Sequence, residues 1–419
     1  MKNALVLPLA IAIAMGLAAC GKKPDQPAAA DNASDAAIVT VVKIGQASPL
    51  TGQQALLGKD NENGAHLAID ELNAQQFQVA GKPVRFELDS QDDQADPRLA
   101  TTIAQRFVDA KVSAVIGHLN SGASIPASKI YADAGIVQVS PSATAIKYTA
   151  QGYKTAFRVM ANDAQQGKAL GEYAIVDMKA KKIAIIDDRT AYGQGLADEF
   201  EKFVAAHDAH VVTREYTTDK ATEFSAILTK IKGLKPDLVF FGGMAPQAGP
   251  MVKQMRQLGL KASFLGGDGV RAEEFHTLAG ADAEGVVASL PGVPLEKMPG
   301  GTAFKQRFNA RFGEIQQYAP YAYDAMMVIA AAMQKAGATD PTHFLPALAN
   351  ADHQGVTGPI RFDGKGDLIG GSVTLYRIEH GQWTTVRTIG GTAVPAPDLI
   401  ATDPAAAAAQ PAPAPATAH

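Results

Sequence analysis

Ser113-Ala114-Val115-Ile116 runs directly into Gly117-His118-Leu119-Asn120-Ser121-Gly122-Ala123-Ser124, and Gly135-Ile136-Val137-Gln138-Val139 runs into Ser140-Pro141-Ser142-Ala143-Thr144-Ala145. Each pairing reads as a buried strand that delivers a hydroxyl-rich turn to the carboxyl edge of a sheet. That edge is where open α/β sheets bind their ligands. Small residues let backbone N–H groups approach a ligand, and hydroxyls donate to an anion, above all where a helix begins. No strong base stands beside either serine, so the chemistry suggested is the holding of a carboxylate, not attack on a carbonyl.

Outward from these turns the same rhythm continues. Short apolar runs at Val41–Ala47, Val84–Leu88, Ile183–Ile186, Val211–Tyr216, Leu238–Phe241, Phe264–Gly266 and Gly285–Ala288 alternate with amphipathic stretches of helical length. Helices are predicted near 60–74, 97–110, 123–133, 163–178, 194–207, 222–232, 247–258 and 271–279. Asp96-Pro97 and Asn162-Asp163 supply caps, and Gly64, Ala65, Ala68 and Leu72 make a small-residue face suited to packing on a sheet. Strand–helix alternation predicts parallel sheets covered on both faces. So many strands exceed one comfortable sheet, and the pattern restarts near Val159 to Asp163. After Pro291 helices follow at 302–312, 319–336 and 341–349, then β-like pieces at Gly358–Phe362, Ser372–Ile378 and Trp383–Thr388. The expectation is an α/β protein of two Rossmann-like lobes, joined by a hinge that the chain crosses several times, with a ligand cleft between them.

The ends read differently. Lys2, the apolar stretch Ala4 to Ala14 and Leu17-Ala18-Ala19-Cys20 form an export signal too short for a good membrane span. Leu-Ala-Ala-Cys resembles the bacterial lipoprotein signal, with Cys20 lipid-modified; an ordinary secretory signal is the alternative. Residues 1–19 are expected to be the signal, 20–39 a lipid-anchored linker and 392–419 a disordered Ala/Pro-rich tail. Cys20 is the only cysteine, which excludes an internal disulfide, a cysteine metal site and a thiol nucleophile. The formal charge is −4, or −5 once Lys2 leaves with the signal. Acidic and basic residues are interleaved, with no basic patch for nucleic acid. The chain carries no Walker A pattern, no Gly-x-Ser-x-Gly elbow and no His-Glu-x-x-His. No enzyme, cofactor or metal is expected.

Several stretches, in this order, resemble the periplasmic leucine/isoleucine/valine-binding proteins of ABC importers, a type I periplasmic-binding fold. They are Gly64-Ala65 with Ala68-Ile69 and Asn73, Asp92-Asp93 with Asp96-Pro97, Ile116-Gly117-His118-Leu119, Ser140-Pro141 with Ala143-Thr144-Ala145, Tyr192-Gly193, Gly242-Gly243, and Gly358-Pro359 with Asp363 and Lys365-Gly366-Asp367. The resemblance implies one lobe from 40–163 and 292–372, and another from 164–291 and 373–391. It implies that Ser121 binds the carboxylate of an amino acid, that Ser142 and Thr144 contact carboxylate and ammonium, and that Tyr192 packs over the ligand. Asp268 sits where the family pairs a Glu with the ammonium, and Tyr318 matches an aromatic near the side-chain end. Leu57 and Met244 replace two tyrosines of the leucine-type receptors, and the disulfide positions near Ala95 and Asn120 lack Cys. The implied function is a lipid-anchored, monomeric receptor on the periplasmic side of a bacterial membrane, inner or outer. It would deliver a hydrophobic amino acid to an ABC permease. A sensor of the same fold, or a receptor for an aromatic amino acid or a related amide or carboxylate, is the alternative.

Other readings stay open in the sequence. Ser121 and Ser142 could be helix caps, and Asp268 between glycines a turn residue. Tyr318, Tyr321 and Tyr323 lie at helical spacing, so more than one reads as core or hinge packing. His118 reads as a loop hydrogen-bonder, Asp187-Asp188 as a solvated loop, and Asp363 to Asp367 as a β-turn.

Overall fold

The computed structural model describes residues 39–207 and 209–391. The expected signal, the lipid attachment at Cys20, most of the linker and the Ala/Pro-rich tail lie outside the described residues.

Apolar runs that need burial on both faces become the middle of two sheets. The first sheet contains β1 (Thr40–Ser48), β2 (Gln78–Val79), β3 (Lys82–Asp92), β4 (Ala114–Gly117), β5 (Val137–Ser140) and β6 (Ala156–Arg158), in the order β2-β3-β1-β4-β5-β6. All neighbours are parallel except β2 with β3. The second contains β7 (Lys182–Asp187), β8 (His210–Tyr216), β9 (Leu238–Gly242), β10 (Ser263–Gly266) and β11 (Val287–Pro291). After the small ribbon of β12 (His353–Gln354) and β13 (Pro359–Ile360), the strands β14 (Ser372–Glu379) and β15 (Gln382–Gly390) complete it. Its order is β15-β14-β11-β10-β9-β7-β8, antiparallel only at β14 and β15. Strands β4, β5 and β9 are buried at every residue, as their unbroken apolar runs require.

Helices α1 (Ala55–Ala74), α2 (Pro97–Asp109), α3 (Ser121–Asp133) and α4 (Lys147–Ala150) belong to the first half, α5 (Asp163–Val176), α6 (Ala191–Ala205), α7 (Ser225–Leu234), α8 (Ala245–Gln257) and α9 (Glu273–Ala279) to the second. Then α10 (Gly301–Phe312), α11 (Ala319–Ala336) and α12 (Pro341–Ala349) return to the first half, where α11 packs along α1. Both anticipated caps form: Asp96 accepts from the N–H groups of Arg98 and Leu99, and Asn162 makes a reciprocal capping box with Gln165. Two expectations are corrected. Helix α1 starts at Ala55 rather than near 60, and takes in Gly58, a poor helix former, which packs against Pro49; a Cβ there would stand 1.9 Å from the Pro49 carbonyl oxygen. The small-residue face of α1 also meets a helix and not only a sheet, since a Cβ on Gly64 would reach 2.3 Å from the Ala319 carbonyl oxygen.

The chain passes between halves at 159–162, 292–300 and 363–371. The first and third passages are stapled together by Arg158, which is fully buried. Its Nε meets Asp367 Oδ1 at 2.5 Å, while Nη1 and Nη2 donate to the carbonyls of Ala143 (2.6 Å) and Ala145 (2.9 Å). Asp367 also accepts from Thr149 and Asn162. Here the Asp363 to Asp367 stretch does form the expected turn, Gly366 N–H donating to the Asp363 carbonyl at 3.0 Å. Gly366 has φ +95°, and a Cβ would stand 2.1 Å from the Ala156 carbonyl oxygen, so no other residue fits. Removing one member of a buried pair strands the other. Arg158→Met is therefore expected to cost about 3–5 kcal/mol of stability in urea unfolding; a loss below about 1 kcal/mol would show that the staple is dispensable.

Candidate functional site

Loops at the carboxyl ends of β4 and β5 are knitted into one unit by serines. Ser140 Oγ donates to the His118 carbonyl (2.9 Å) and accepts from Ala143 N–H (2.9 Å). Ser142 Oγ donates to the Leu119 carbonyl (3.1 Å) and accepts from Asn61 Nδ2 (3.1 Å). Ser121 Oγ accepts the Ala145 N–H (3.1 Å) across the two loops, and its own proton donates to no protein group among the described residues. Neither Ser121 nor Ser142 is a helix cap: Asn120 holds the cap position of α3, and Ile146 that of α4. His118 is the expected hydrogen-bonder, buried between Asp93 (2.7 Å) and Tyr131 (3.0 Å).

Across the cleft, loops after β7, β9 and β10 present Tyr192, Met244 and Asp268. Asp268 Oδ1 accepts from Tyr192 Oη (2.7 Å) and Gln166 Nε2 (3.1 Å), and Oδ2 accepts from Tyr318 Oη (2.7 Å). Gln317 Nε2 donates to the Asp268 carbonyl at 3.0 Å. Tyr192 Oη in turn accepts the Gly269 N–H at 2.9 Å. The glycines flanking Asp268 serve space, not a left-handed turn. A Cβ at Gly267 would lie 2.5 Å from Tyr192 Oη, and one at Gly269 would lie 2.6 Å from Met244 Sδ.

Asp268 is 2 % exposed, and no Lys, Arg or His among the described residues pairs with it. Burial raises its pKa against three hydrogen bonds that favour the charge. Burial pushes Tyr192 and Tyr318 far above the ordinary phenol value, and the Asp268 charge adds to this, so both stay protonated donors. A second carboxyl lies nearby: Gln166 Nε2 also reaches Asp163 Oδ1 at 3.4 Å, held by Ser289 on its Oε1. Burial, then the Asp268 charge, pushes Asp163 up to about 8. Asp163 Oδ2 and the Thr144 hydroxyl have no hydrogen-bond partner, although the hydroxyl is near enough to favour the carboxylate.

Six of the eight residues expected at the site line one cavity: Ser121, Ser142, Tyr192, Met244, Asp268 and Tyr318, together with Leu119 and Asn120. Thr144 is buried but does not line it. Leu57, 3 % exposed, does not line it either. Tyr318, expected by a ligand's side chain, instead places its hydroxyl on Asp268. Ser142 has its donor committed to Leu119, so it braces the loop. Of the neighbouring tyrosines, Tyr321 bonds the Pro291 carbonyl at the hinge and Tyr323 bonds Glu71. Asp187-Asp188 is not a solvated loop: the two are 0 % and 2 % exposed, Asp187 paired with Arg214 at 2.9 Å. Sequence reasoning missed Gln166, Asn61 and Gln317, although the spacing Asp163, Gln166, Gly167, Leu170 marks a buried helix face.

The cavity holds about 20 Å³, room for about one water. The halves meet through Tyr318 and Gln317 on Asp268, and through Gln53 with Gln247 at 3.4 Å. A ligand of amino-acid size must part these contacts to enter.

Comparison with known proteins gives the same picture. Residues 41–382 match the model of the periplasmic binding protein family. An amino acid binding protein of Pseudomonas aeruginosa is 37 % identical over 338 residues, covering 80 % of this chain and 89 % of that one. A Leu/Ile/Val-binding protein homolog of Brucella suis is 35 % identical, covering 81 % and 91 %. The branched-chain amino acid transporter substrate binding protein of Streptococcus pneumoniae, solved with isoleucine, superimposes with a TM-score of 0.76 at 28 % identity, covering 84 % of this chain and all of that one. With two mostly parallel sheets meeting over a buried carboxylate, and the family model spanning most of its length, this chain belongs to the periplasmic binding proteins of type I fold, a family of binding proteins and not of enzymes.

Proposed function

We propose that this protein is the solute-binding component of an ABC importer, and that it grips a branched-chain type amino acid as a zwitterion between its halves. The observation that carries this reading is Asp268, a buried carboxylate facing the cavity with no cation of the protein beside it. An ammonium is the natural counter-ion, and its N–H donors can replace the Tyr318 hydroxyl on Oδ2. At the other pole, the free Ser121 proton and the first-turn N–H groups of α3 suit a carboxylate. Leu119, Met244 and the Tyr192 ring provide the apolar wall.

Magnitudes support it. Hydrogen bonds to charged groups contribute about 1.5–3 kcal/mol each, and burying an aliphatic side chain about as much. Micromolar affinity needs about 8 kcal/mol net, within reach after the ordering costs of association. Each half carries one pole's partner, so the ligand favours the closed arrangement by differential contact. The relatives named for Leu, Ile and Val, and the isoleucine complex, support the side-chain class.

Two outcomes are expected. In titration calorimetry with leucine, Asp268→Asn should weaken binding by about ten-fold or more, whereas Leu57→Ala should lower stability with little effect on affinity. Equal affinity losses, or undiminished binding of the deaminated analogue 4-methylpentanoate, would remove the zwitterion reading. We infer also that Cys20 carries a lipid on the periplasmic side of the membrane, as the Leu-Ala-Ala-Cys signal suggests. In cells fed labelled palmitate, Cys20→Ser should lose the label and move from the membrane to the soluble fraction. Retention of both would refute the anchor.

A further inference from the structure

We propose that the ligand site continues past Tyr192 and Met244 into an acidic chamber that receives a hydrogen-bond-donating tip of the ligand's side chain, so that the receptor takes amino acids ending in an amine, guanidinium or amide as well as aliphatic ones. This rests on the amino-acid reading above and extends it to side chains that reading does not require.

The chamber has a volume of about 430 Å³ and shares Asn120, Tyr192 and Met244 with the small cavity at Asp268. Its distinguishing residue is Asp188, 2 % exposed at the end of β7. Asp188 Oδ1 accepts from the N–H (2.9 Å) and the hydroxyl (2.6 Å) of Thr190. Its Oδ2 has no hydrogen-bond partner, and it pairs with no cation among the described residues. Asn120 repeats the pattern at the junction of the two spaces. Its Nδ2 donates to Gln54 Oε1 at 2.7 Å, while its Oδ1 has no donor. Two residues of the lining, Asp188 and Asn120, each keep a buried acceptor without a partner, and no lining residue keeps a buried donor without one, so the group suited to complete them is a donor.

Charge points the same way. Asp188 and Asp219 line the chamber against one cation, Arg189, whose guanidinium is already stacked 3.3 Å above the Tyr216 ring. Asp187 is engaged by Arg214, and Asp219 by Lys220 at 3.2 Å. Burial, joined by the charges of Asp219 and Asp187, pushes Asp188 up to about 6, so at neutral pH it is ionised without a counter-ion. Met244, unbranched and adaptable, lines both spaces and stands between the zwitterion grip and Asp188, where it can give way to a ligand side chain.

The test is titration calorimetry on the intact protein with L-lysine, L-arginine and L-glutamine against L-norleucine and L-leucine. At least one donor-tipped ligand should bind about ten-fold tighter than norleucine, a margin of about 1.4 kcal/mol. In Asp188→Asn, and independently in Asn120→Ala, that ratio, measured within each variant, should fall by about five-fold or more, with thermal unfolding confirming a folded protein. If leucine and norleucine bind and no donor-tipped ligand surpasses them, the chamber proposal fails while the amino-acid reading stands. If the ratio survives in both variants, or in the one that folds, the proposal fails as well. If no amino acid binds, both readings fall together.

Discussion

A negative charge held out of water with no positive charge of its own is the constraint around which this molecule is arranged. Asp268 could exist as a structural carboxylate only if fixed donors surrounded it, and two other buried aspartates show what that looks like. Asp60 accepts four successive backbone N–H groups, from Gln316 to Ala319, at 2.6–2.9 Å. Asp324 accepts the N–H groups of Val356 and Thr357 and the Thr357 hydroxyl. Such donors cannot leave without unfolding the segment that carries them. The three donors that other residues bring to the Asp268 carboxylate are side chains, from α5, from α6 and from Tyr318 just before α11, and so from both halves. Side chains can turn away, so these bonds are exchangeable and the charge is available to a ligand.

The same contrast explains how the halves communicate. Asp60 on α1 pins the backbone that begins α11, which fixes Tyr318 at the rim of the first half. Tyr318 reaches across to Asp268 on the second. A shut cleft is thereby held by a neutral donor on a carboxylate, and an ammonium makes the stronger, charge-assisted bond to the same oxygen. On the proposed reading, exchange of one donor for the other is favourable only when the remaining parts of the ligand are also met, by Ser121 and the apolar wall. Closure and recognition would then be one event, with the passages between halves tied by the staple of Arg158 and Asp367.

Much of this was legible in the residues. Unbroken apolar runs marked the central strands because strands buried on both faces admit nothing else, and the hydroxyl turns and the Gly-Gly-Asp-Gly loop marked the sheet edges that line the small cavity. What stayed hidden depended on partners distant in the chain. Strand β6 ends in Arg158, which reads as surface until Asp367 is brought beside it. Gln166 lies on the helix face that the spacing marks as buried, but its partners Ser289 and Asp268 are distant in the chain. Asp188 looked solvated for the same reason, and Leu57, placed at the ligand by resemblance, does not line the small cavity. Local pattern specifies elements; burial of polar groups is a property of the assembled pair of halves.

One question of charge remains, since Asp163 and Asp268 share a single amide donor. Two ionised carboxylates so placed would repel in a medium that screens poorly. Asp268 receives three donors that favour its ionised form, whereas Asp163 receives one long one. Burial, then the Asp268 charge, pushes Asp163 up to about 8, so its carboxyl is mostly protonated at neutral pH. A raised native pKa means that this group supports the native state most below about pH 4 and that its contribution fades as pH climbs through about 8. One charge is what a single ammonium neutralises. On the proposed reading, a proton held by Asp163 matches this pole of the site to a ligand with one ammonium.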